Sequence, residues 1–419
     1  MLRPYVNCDF IMAEDKKTKQ DFPKGFVDMM HHLLGDDADN FFEAMLEAPS
    51  VAVRINSRKP CHSFDGGQRV SWCEHGYYLQ HRPVFTLDPL LHAGCYYVQD
   101  PSSMIYEKVV ETLVGQFRKE SVFPLNLSVL DLCAAPGGKT TAMINALPDG
   151  SHITANEFIS KRAGVLRENL IKWGYPAVRV TNRDTASFAE EGETYDIIAV
   201  DAPCSGEGMM RKDKDAINQW SVDLIHKCAE LQRKIIDNAI GALKPGGFLI
   251  YSTCTFNREE NEENAEYISN EKGMIPFDLS FPKEWNIGKG INTNLPVYRF
   301  MPHLTKGEGL FLAVFRKDGC VKGIKGVKDV RDVKGVKEGE VPEIQDILSV
   351  DFNIGNYNHV DLTKEEALKY LRREALQFGE EVPKGIVIVT YEGHPLGAVK
   401  NIGNRANNLY PKSWRILMR

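Results

Sequence analysis

Between residues 128 and 254, five short apolar runs alternate with stretches of helical periodicity, and this alternation constrains the fold more than any other feature. The runs are SVLDLC (128–133), HITANE (152–157), AVRVTN (177–182), YDIIAVDAP (195–203) and GGFLIYSTC (246–254). The segment APGGKTTAMINAL turns out of the first run into a helix, and further helices are expected over 160–173 and 221–243. Strands separated by helices require crossover connections, so the expected core is a mostly parallel, doubly wound, Rossmann-like α/β sheet. GLFLAVFRK (309–317) reads as a closing antiparallel strand.

The flanks differ in character. Residues 22–48 carry apolar side chains at helical spacing, broken at Gly35 and ended by Pro49. VAVRIN (51–56) alternates like a strand, and residues 60–100 are rich in Gly, His, Tyr and Pro, as expected of a small α/β unit. The stretch 318–340 repeats a Gly-Val-Lys phrase without an aromatic residue and reads as a charged linker. A last unit, 341–419, is expected to hold a helix at 362–377 and a strand at 385–391. Its tail from His394 holds Lys400, Arg405, Lys412, Arg415 and Arg419 and no acidic residue. That tail is either a solvated surface or a phosphate-contacting face. The expected organisation is an extension (1–20), an N-terminal α/β domain (21–115), a catalytic domain (116–317), the linker and a C-terminal domain (341–419).

Composition narrows the partners. The net charge is −6 over 419 residues, so any nucleic-acid contact must come from local basic surface. The tail supplies one such surface, and Arg54, Arg58 and Lys59 are candidates for another. Nine scattered cysteines without a CxxC pair argue against a zinc knuckle and predict reduced thiols in a cytoplasmic protein. No apolar run reaches the roughly 18 residues needed to span a bilayer, and no secretory layout opens the chain.

Ligands of open α/β sheets bind beyond the carboxyl ends of the strands. There, Gly137 and Gly138 allow close approach to the backbone, although the spacing is neither GxGxxG nor a P-loop and a tight structural turn is the competing reading. Glu157 ends the second run twenty residues after Gly137, Asp184 follows the third and Asp201 ends the fourth. Each alone also reads as a cap or a solvated side chain. Together they favour a phosphate-free adenosine ligand held by its ribose hydroxyls, and the sulfonium cation of S-adenosylmethionine suits an acid-rich crevice.

Cys204, in DAPCSGEG, and Cys254, in YSTCTFNREENE, leave strands at this same edge. A buried cysteine is ordinarily a small apolar filler, but these two enter polar turns, and no metal is expected there. Beside a methyl donor a thiol has a specific use. Carbon 5 of cytosine is a poor nucleophile; a thiolate added to carbon 6 turns the ring into an enamine that attacks a methyl group through carbon 5. Protonation at nitrogen 3 helps the addition, and elimination of the thiol completes the cycle. The residues alone leave Cys204 and Cys254 equal candidates for the nucleophile, with Asp201 of the right type to meet nitrogen 3.

At CAAPGGKT (133–140), DAPCSGEG (201–208) and YSTCT (251–255) with its acidic NREENE, the chain resembles the Sun/Fmu-type family of RNA cytosine-5 methyltransferases. RIN (54–56) and YYVQDPSSM (96–104) are similar as well, so the resemblance runs through most of 50–316. It implies a class I methyltransferase domain, with Cys254 as nucleophile, Cys204 assisting release, and Asp201 at the cytosine edge and close to the cofactor. It further implies that Cys133, Ala134, Ala135, Pro136, Gly137, Gly138 and Lys139 wrap the methionine end of S-adenosylmethionine. Glu157 would hold the ribose, Asp184 approach the adenine and Arg162 support the site. GHPLGAVKNIGNRANNLYPKSWR (393–415) resembles the PUA-like RNA-binding domain of the bacterial RsmF branch, which implies small-subunit (16S) ribosomal RNA as partner, within a subunit or free, for a monomer without metal or membrane attachment. Transfer RNA as substrate and an RNA-binding ribosome-assembly factor are the alternative readings. A DNA cytosine methyltransferase would take its nucleophile from the PC context instead.

Overall fold

The computed structural model describes residues 18–417 except 63, 65, 121–125, 193 and 320–340. Nearly all of the expected linker, most of the extension, Cys8, Cys320 and Arg419 therefore lie outside the described residues.

Helices α1 (Lys24–Leu34) and α2 (Ala38–Leu46) form a hairpin with Phe26, Met30, Phe41, Phe42 and Met45 on its buried face. That face packs on Met210, Trp220, Ile225, Phe256 and Met301, so the hairpin docks on the central unit. Strands β1 (Val51–Ile55), β2 (Gln68–Val70), β3 (Cys73–Leu79) and β4 (Tyr96–Val98), with α3 (Pro89–Ala93) before the last, form an antiparallel sheet in the order β2-β3-β1-β4. Helix α4 (Ile105–Glu120) runs across the expected domain boundary at 115 and buries Val109, Val110, Leu113 and Phe117 against the central sheet. The sequence reading passed over this helix.

The central unit contains, in chain order, β5 (Ser128–Asp131), α5 (Gly138–Ala146), β6 (His152–Asn156), α6 (Ser160–Trp173), β7 (Val178–Thr181), α7 (Ala186–Glu191) and β8 (Tyr195–Asp201). It continues with α8 (Lys214–Gln219), α9 (Val222–Ala242), β9 (Leu243–Thr253), α10 (Glu262–Glu266), β10 (Ile275–Pro276), β11 (Gly288–Lys289), β12 (Val297–Phe300) and β13 (Leu310–Arg316). The sheet order is β11-β12-β13-β9-β8-β5-β6-β7, with β10 paired to β13. Strands β9 to β7 are parallel, and β13 closes antiparallel on β9 as expected. Every residue of β5 and six of seven in β8 are buried, as both faces of a parallel sheet are covered by helices. β5 pairs with β6 on one side and β8 on the other, so the strand order reverses here and a crevice opens beyond their carboxyl ends.

The C-terminal unit holds α11 (Ile344–Ile347), β14 (Asn358–Asp361), α12 (Lys364–Leu371), β15 (Gly385–Tyr391), β16 (His394–Asn401) and β17 (Ala406–Asn408), in the sheet order β14-β15-β16-β17. Thr363 and Glu366 cap α12 reciprocally. The tail expected from His394 thus supplies two strands, β16 and β17. Tyr370, Leu371, Val387, Val389 and Val399 share one apolar cluster with Val53, Ile55, Tyr77 and Tyr96 of the N-terminal sheet and Leu90 of α3. Lys59 joins the units: its Nζ donates to the carbonyls of Ala93 (2.9 Å), Lys172 (2.7 Å) and Leu348 (2.6 Å). Burial pulls this ammonium down to about 8.

Two expectations fail here. Arg54 is fully buried and Lys59 nearly so, and neither faces solvent phosphates. Arg58 reaches the surface but pairs with Asp149 at 2.8 Å. Deleting 341–419 would uncover the shared cluster; at 1.5–3 kcal/mol per buried apolar side chain the unfolding midpoint should fall by about 10 °C, read by circular dichroism.

Candidate active site

The first strand ends at Asp131 and the chain turns through 133–137 into α5. Gly137 has φ of +110°, where a side chain is strained, and a Cβ there would lie 3.2 Å from Leu166 Cδ1. A Cβ on Gly138 would lie 3.3 Å from the Tyr97 ring and 3.4 Å from Gln99 Nε2. The first turn of α5 divides its side chains. Lys139 Nζ lies 2.7 Å from Asp201 Oδ2, and Thr140 Oγ1 donates to Asp131 Oδ2 at 2.6 Å. Burial pushes Asp131 up to about 7. Burial also opposes the charge on Lys139, but Asp201 outweighs it and holds the ammonium above its ordinary value.

Glu157 is buried; Oε1 accepts the Ile159 N–H at 2.8 Å and Oε2 pairs with Arg162 Nη1 at 3.2 Å. Arg162 Nη2 donates to the Ala135 carbonyl at 2.8 Å, so this arginine ties the second strand's carboxylate to the glycine loop. Asp184 is exposed and accepts the Ala186 N–H at 2.9 Å at the start of α7. Cys133 packs on the core beneath the loop, where burial pushes its thiol up. Sequence reasoning missed Phe158, which follows Glu157 and leaves 66% of its surface exposed. The available signal was a large apolar residue directly after a strand-end carboxylate.

The sulfurs of Cys204 and Cys254 lie 3.3 Å apart, both half-buried. Asp201 stands beside them, accepting from Ser252 Oγ at 2.7 Å on the oxygen not taken by Lys139. Ser252 Oγ in turn meets the buried Tyr106 hydroxyl at 2.8 Å. The electrostatics of the two thiols are unequal. A hydrogen bond from Cys204 draws Cys254 below its ordinary value, against burial and Asp201, and the ammonium groups of Lys139 and Lys212 add to this. Cys204 is pushed well up by the same contact, by burial and by Glu260. Among the described residues no three His, Cys, Asp or Glu side chains converge to hold a metal ion.

Three family models match in chain order. The N-terminal domain of 16S rRNA methyltransferase RsmF matches residues 22–101, 16S rRNA methyltransferase RsmB/F matches 125–316, and the methyltransferase RsmF PUA domain matches 357–416. The chain belongs to the RsmB/F methyltransferase family. A ribosomal RNA small subunit methyltransferase F of Citrobacter koseri is 37% identical over 261 residues, 60% of this chain and 52% of that protein. One from Escherichia coli O81 is 32% identical over 324 residues, 72% of this chain and 65% of that one. The chain thus spans about half to two-thirds of the length of these curated relatives. A solved methyltransferase homologue from Pyrococcus horikoshii is 27% identical with a TM-score of 0.59, covering 71% of this chain and 95% of that one. NSun6 from the same organism, at 21% identity and a TM-score of 0.59 over 71% of this chain and 98% of that one, shares the fold.

In this RsmB/F chain the acidic run after Cys254 is not a solvated surface. Glu260, Asn261, Glu262 and Asn264 are all fully buried. Glu260 accepts from Ser205 N (3.0 Å), Gln232 Nε2 (2.7 Å) and Asn257 Nδ2 (2.7 Å). Glu207 accepts from the N–H groups of Phe256 (2.6 Å) and Asn257 (2.9 Å) and from Trp220 Nε1 (3.0 Å). Ser205 and Thr255, each one residue after a cysteine, bond through their hydroxyls at 2.8 Å. The loops carrying the two sulfurs are thereby fastened to each other by a shared polar core. Glu260→Ala would leave the Ser205 N–H without this acceptor and take one acceptor each from Gln232 Nε2 and Asn257 Nδ2, which keep Pro203, Glu207 and Thr255; it should cost about 3 kcal/mol, measured by denaturant unfolding.

Proposed function

We propose that this chain transfers a methyl group from S-adenosylmethionine to carbon 5 of a cytosine in 16S ribosomal RNA. The observation that carries the reading is the pair of sulfurs 3.3 Å apart at the switch point of the sheet, next to the Lys139–Asp201 pair. The residues fit the cofactor: a cradle that a Cβ at Gly137 would strain, Glu157 for the ribose, and Asp184 and Phe158 on the adenine side. Bound there, S-adenosylmethionine supplies an electrophilic methyl group. Cys133, Ala134, Ala135, Pro136, Gly137 and Gly138 form the loop that would hold its methionine end, Cys133 from beneath. Lys139 belongs to the same loop but commits its ammonium to Asp201, and Arg162 holds Glu157 against the loop.

The target base leaves its stack to enter the crevice, at a few kcal/mol offset by contacts elsewhere. Cys254, whose environment favours the thiolate, adds to carbon 6. Asp201 meets the cytosine edge at nitrogen 3, oriented by Lys139 and Ser252. After methylation the carbon 5 proton passes to solvent water and the bond from carbon 6 to sulfur breaks, its electron pair returning to Cys254 as the thiolate, with Cys204 assisting from contact distance. The exposed basic residues Lys400, Arg405, Lys412 and Arg415 of the C-terminal unit serve the RNA backbone. The reading has the chain acting as a cytoplasmic monomer on RNA of the small subunit; no helix among the described residues is long and apolar enough to cross a membrane.

Bisulfite mapping of ribosomal and transfer RNA from cells with and without this chain tests the proposal. A 16S cytosine that loses protection is the expected result. Loss confined to transfer RNA would move the substrate, and no change would remove the activity.

A further inference from the structure

Arg54 sits on β1, outside the central unit, and is fully buried. Its guanidinium donates from Nε to Gln99 Oε1 (2.8 Å), from Nη1 to the Thr141 carbonyl (3.1 Å), and from Nη2 to the Gly138 carbonyl (3.1 Å) and Thr141 Oγ1. The Trp173 ring lies 4.8 Å from its central carbon. Every one of these hydrogen-bond acceptors is neutral, although burying a cation costs several kcal/mol unless its donors are well met. The acceptors lie at one place, the first turn of α5. Residues 138 and 141 share a face of that helix, and residue 139 points elsewhere. The turn that Arg54 grips from behind therefore presents Lys139 to Asp201 and follows directly on Gly137, whose φ of +110° only glycine adopts without strain.

We infer that Arg54 is a positioning residue for the cofactor site, reaching from the N-terminal sheet to fix the first turn of α5 and the glycine loop ahead of it. The inference rests on the reading of residues 133–139 as the cofactor loop. A planar fork is needed: it holds a carbonyl, a hydroxyl and a second carbonyl at fixed spacing, which a lysine ammonium does not reproduce. The N-terminal unit is on this account part of the cofactor site without touching the cofactor.

The test titrates S-adenosylhomocysteine into the full chain by calorimetry and follows thermal unfolding in parallel. Arg54→Lys should weaken binding about tenfold, the scale of one to two lost charge-assisted hydrogen bonds. Asn56→Ala is the control. Asn56 holds the same boundary through the carbonyls of Gly94 (2.9 Å) and Trp173 (2.8 Å), and its side-chain hydrogen bonds do not reach the first turn of α5. It should lower the unfolding midpoint and leave affinity unchanged. Thr141→Val, which removes one acceptor and keeps the volume, should weaken binding about threefold and carries the test if Arg54→Lys does not fold. Wild-type affinity in Arg54→Lys, or in Thr141→Val where that variant stands in, overturns the inference, as does an equal loss in Asn56→Ala. Failure of the unaltered chain to bind S-adenosylhomocysteine overturns the cofactor reading and this inference with it.

Discussion

Cys254→Ala is expected to lose methyl transfer to RNA by on the order of 10⁴-fold or more, the scale of deleting a covalent nucleophile. Binding of S-adenosylhomocysteine should be unchanged, because the thiol lies beyond the glycine loop that forms the cofactor cradle. The sulfur is half-buried among Cys204, Asp201 and Lys139, so replacing the thiol with a hydrogen on Cβ leaves a small void and an intact fold. A filter assay with methyl-labelled cofactor reads the rate and calorimetry reads the affinity; residual turnover near wild type would reassign the nucleophile. The environment makes a second demand. A thiol drawn below its ordinary value is more ionised at neutral pH, so limiting iodoacetamide should modify Cys254 before Cys204, scored by peptide mass. The reverse order would contradict the asymmetry between them.

Cys204→Ala should behave oppositely. Addition to carbon 6 uses Cys254, which in this variant loses the hydrogen bond from Cys204 but keeps the ammonium groups of Lys139 and Lys212, whereas release needs proton handling at the same ring, a contribution of roughly 10²–10⁴-fold. A protein–RNA adduct stable to denaturing electrophoresis should therefore accumulate in Cys204→Ala and be absent from the double variant with Cys254→Ala. If no adduct forms although methyl groups are transferred, Cys204 has no part in release.

Four of the five central strands were legible as runs buried on both faces and the edge strand β7 by its alternation of Val178 and Val180 with polar residues, and α6 falls on the expected residues 160–173. What escaped was structure whose cause is distant in sequence. Helix α4 mixes charge with its apolar stripe, and β10 to β12 are two to four residues long, too short to show a period. The sequence reading of the tail rests on its charge alone and assigns no strand in it, because Gly, Pro and Asn punctuate it; β15 supplies the ladder that makes His394–Asn401 a strand. Charge was the most misleading signal. Arg54, Lys59 and Glu260 look like surface residues, and only the convergence of remote carbonyls and amides shows how each can be buried. At the site, residue types and positions were legible, while the different surroundings of the two thiols depended on Lys212 and Glu260, which no local pattern brings to them.

Because Tyr370, Leu371 and Val389 interdigitate with the N-terminal sheet, the basic face around Arg405 stands at a set distance from the paired sulfurs. That distance is a property of packing rather than of the chain length joining the units. If the proposed function holds, an RNA touching both points would be measured as by calipers, and an architecture of the right span, more than the letters around the cytosine, would decide which base arrives at Cys254.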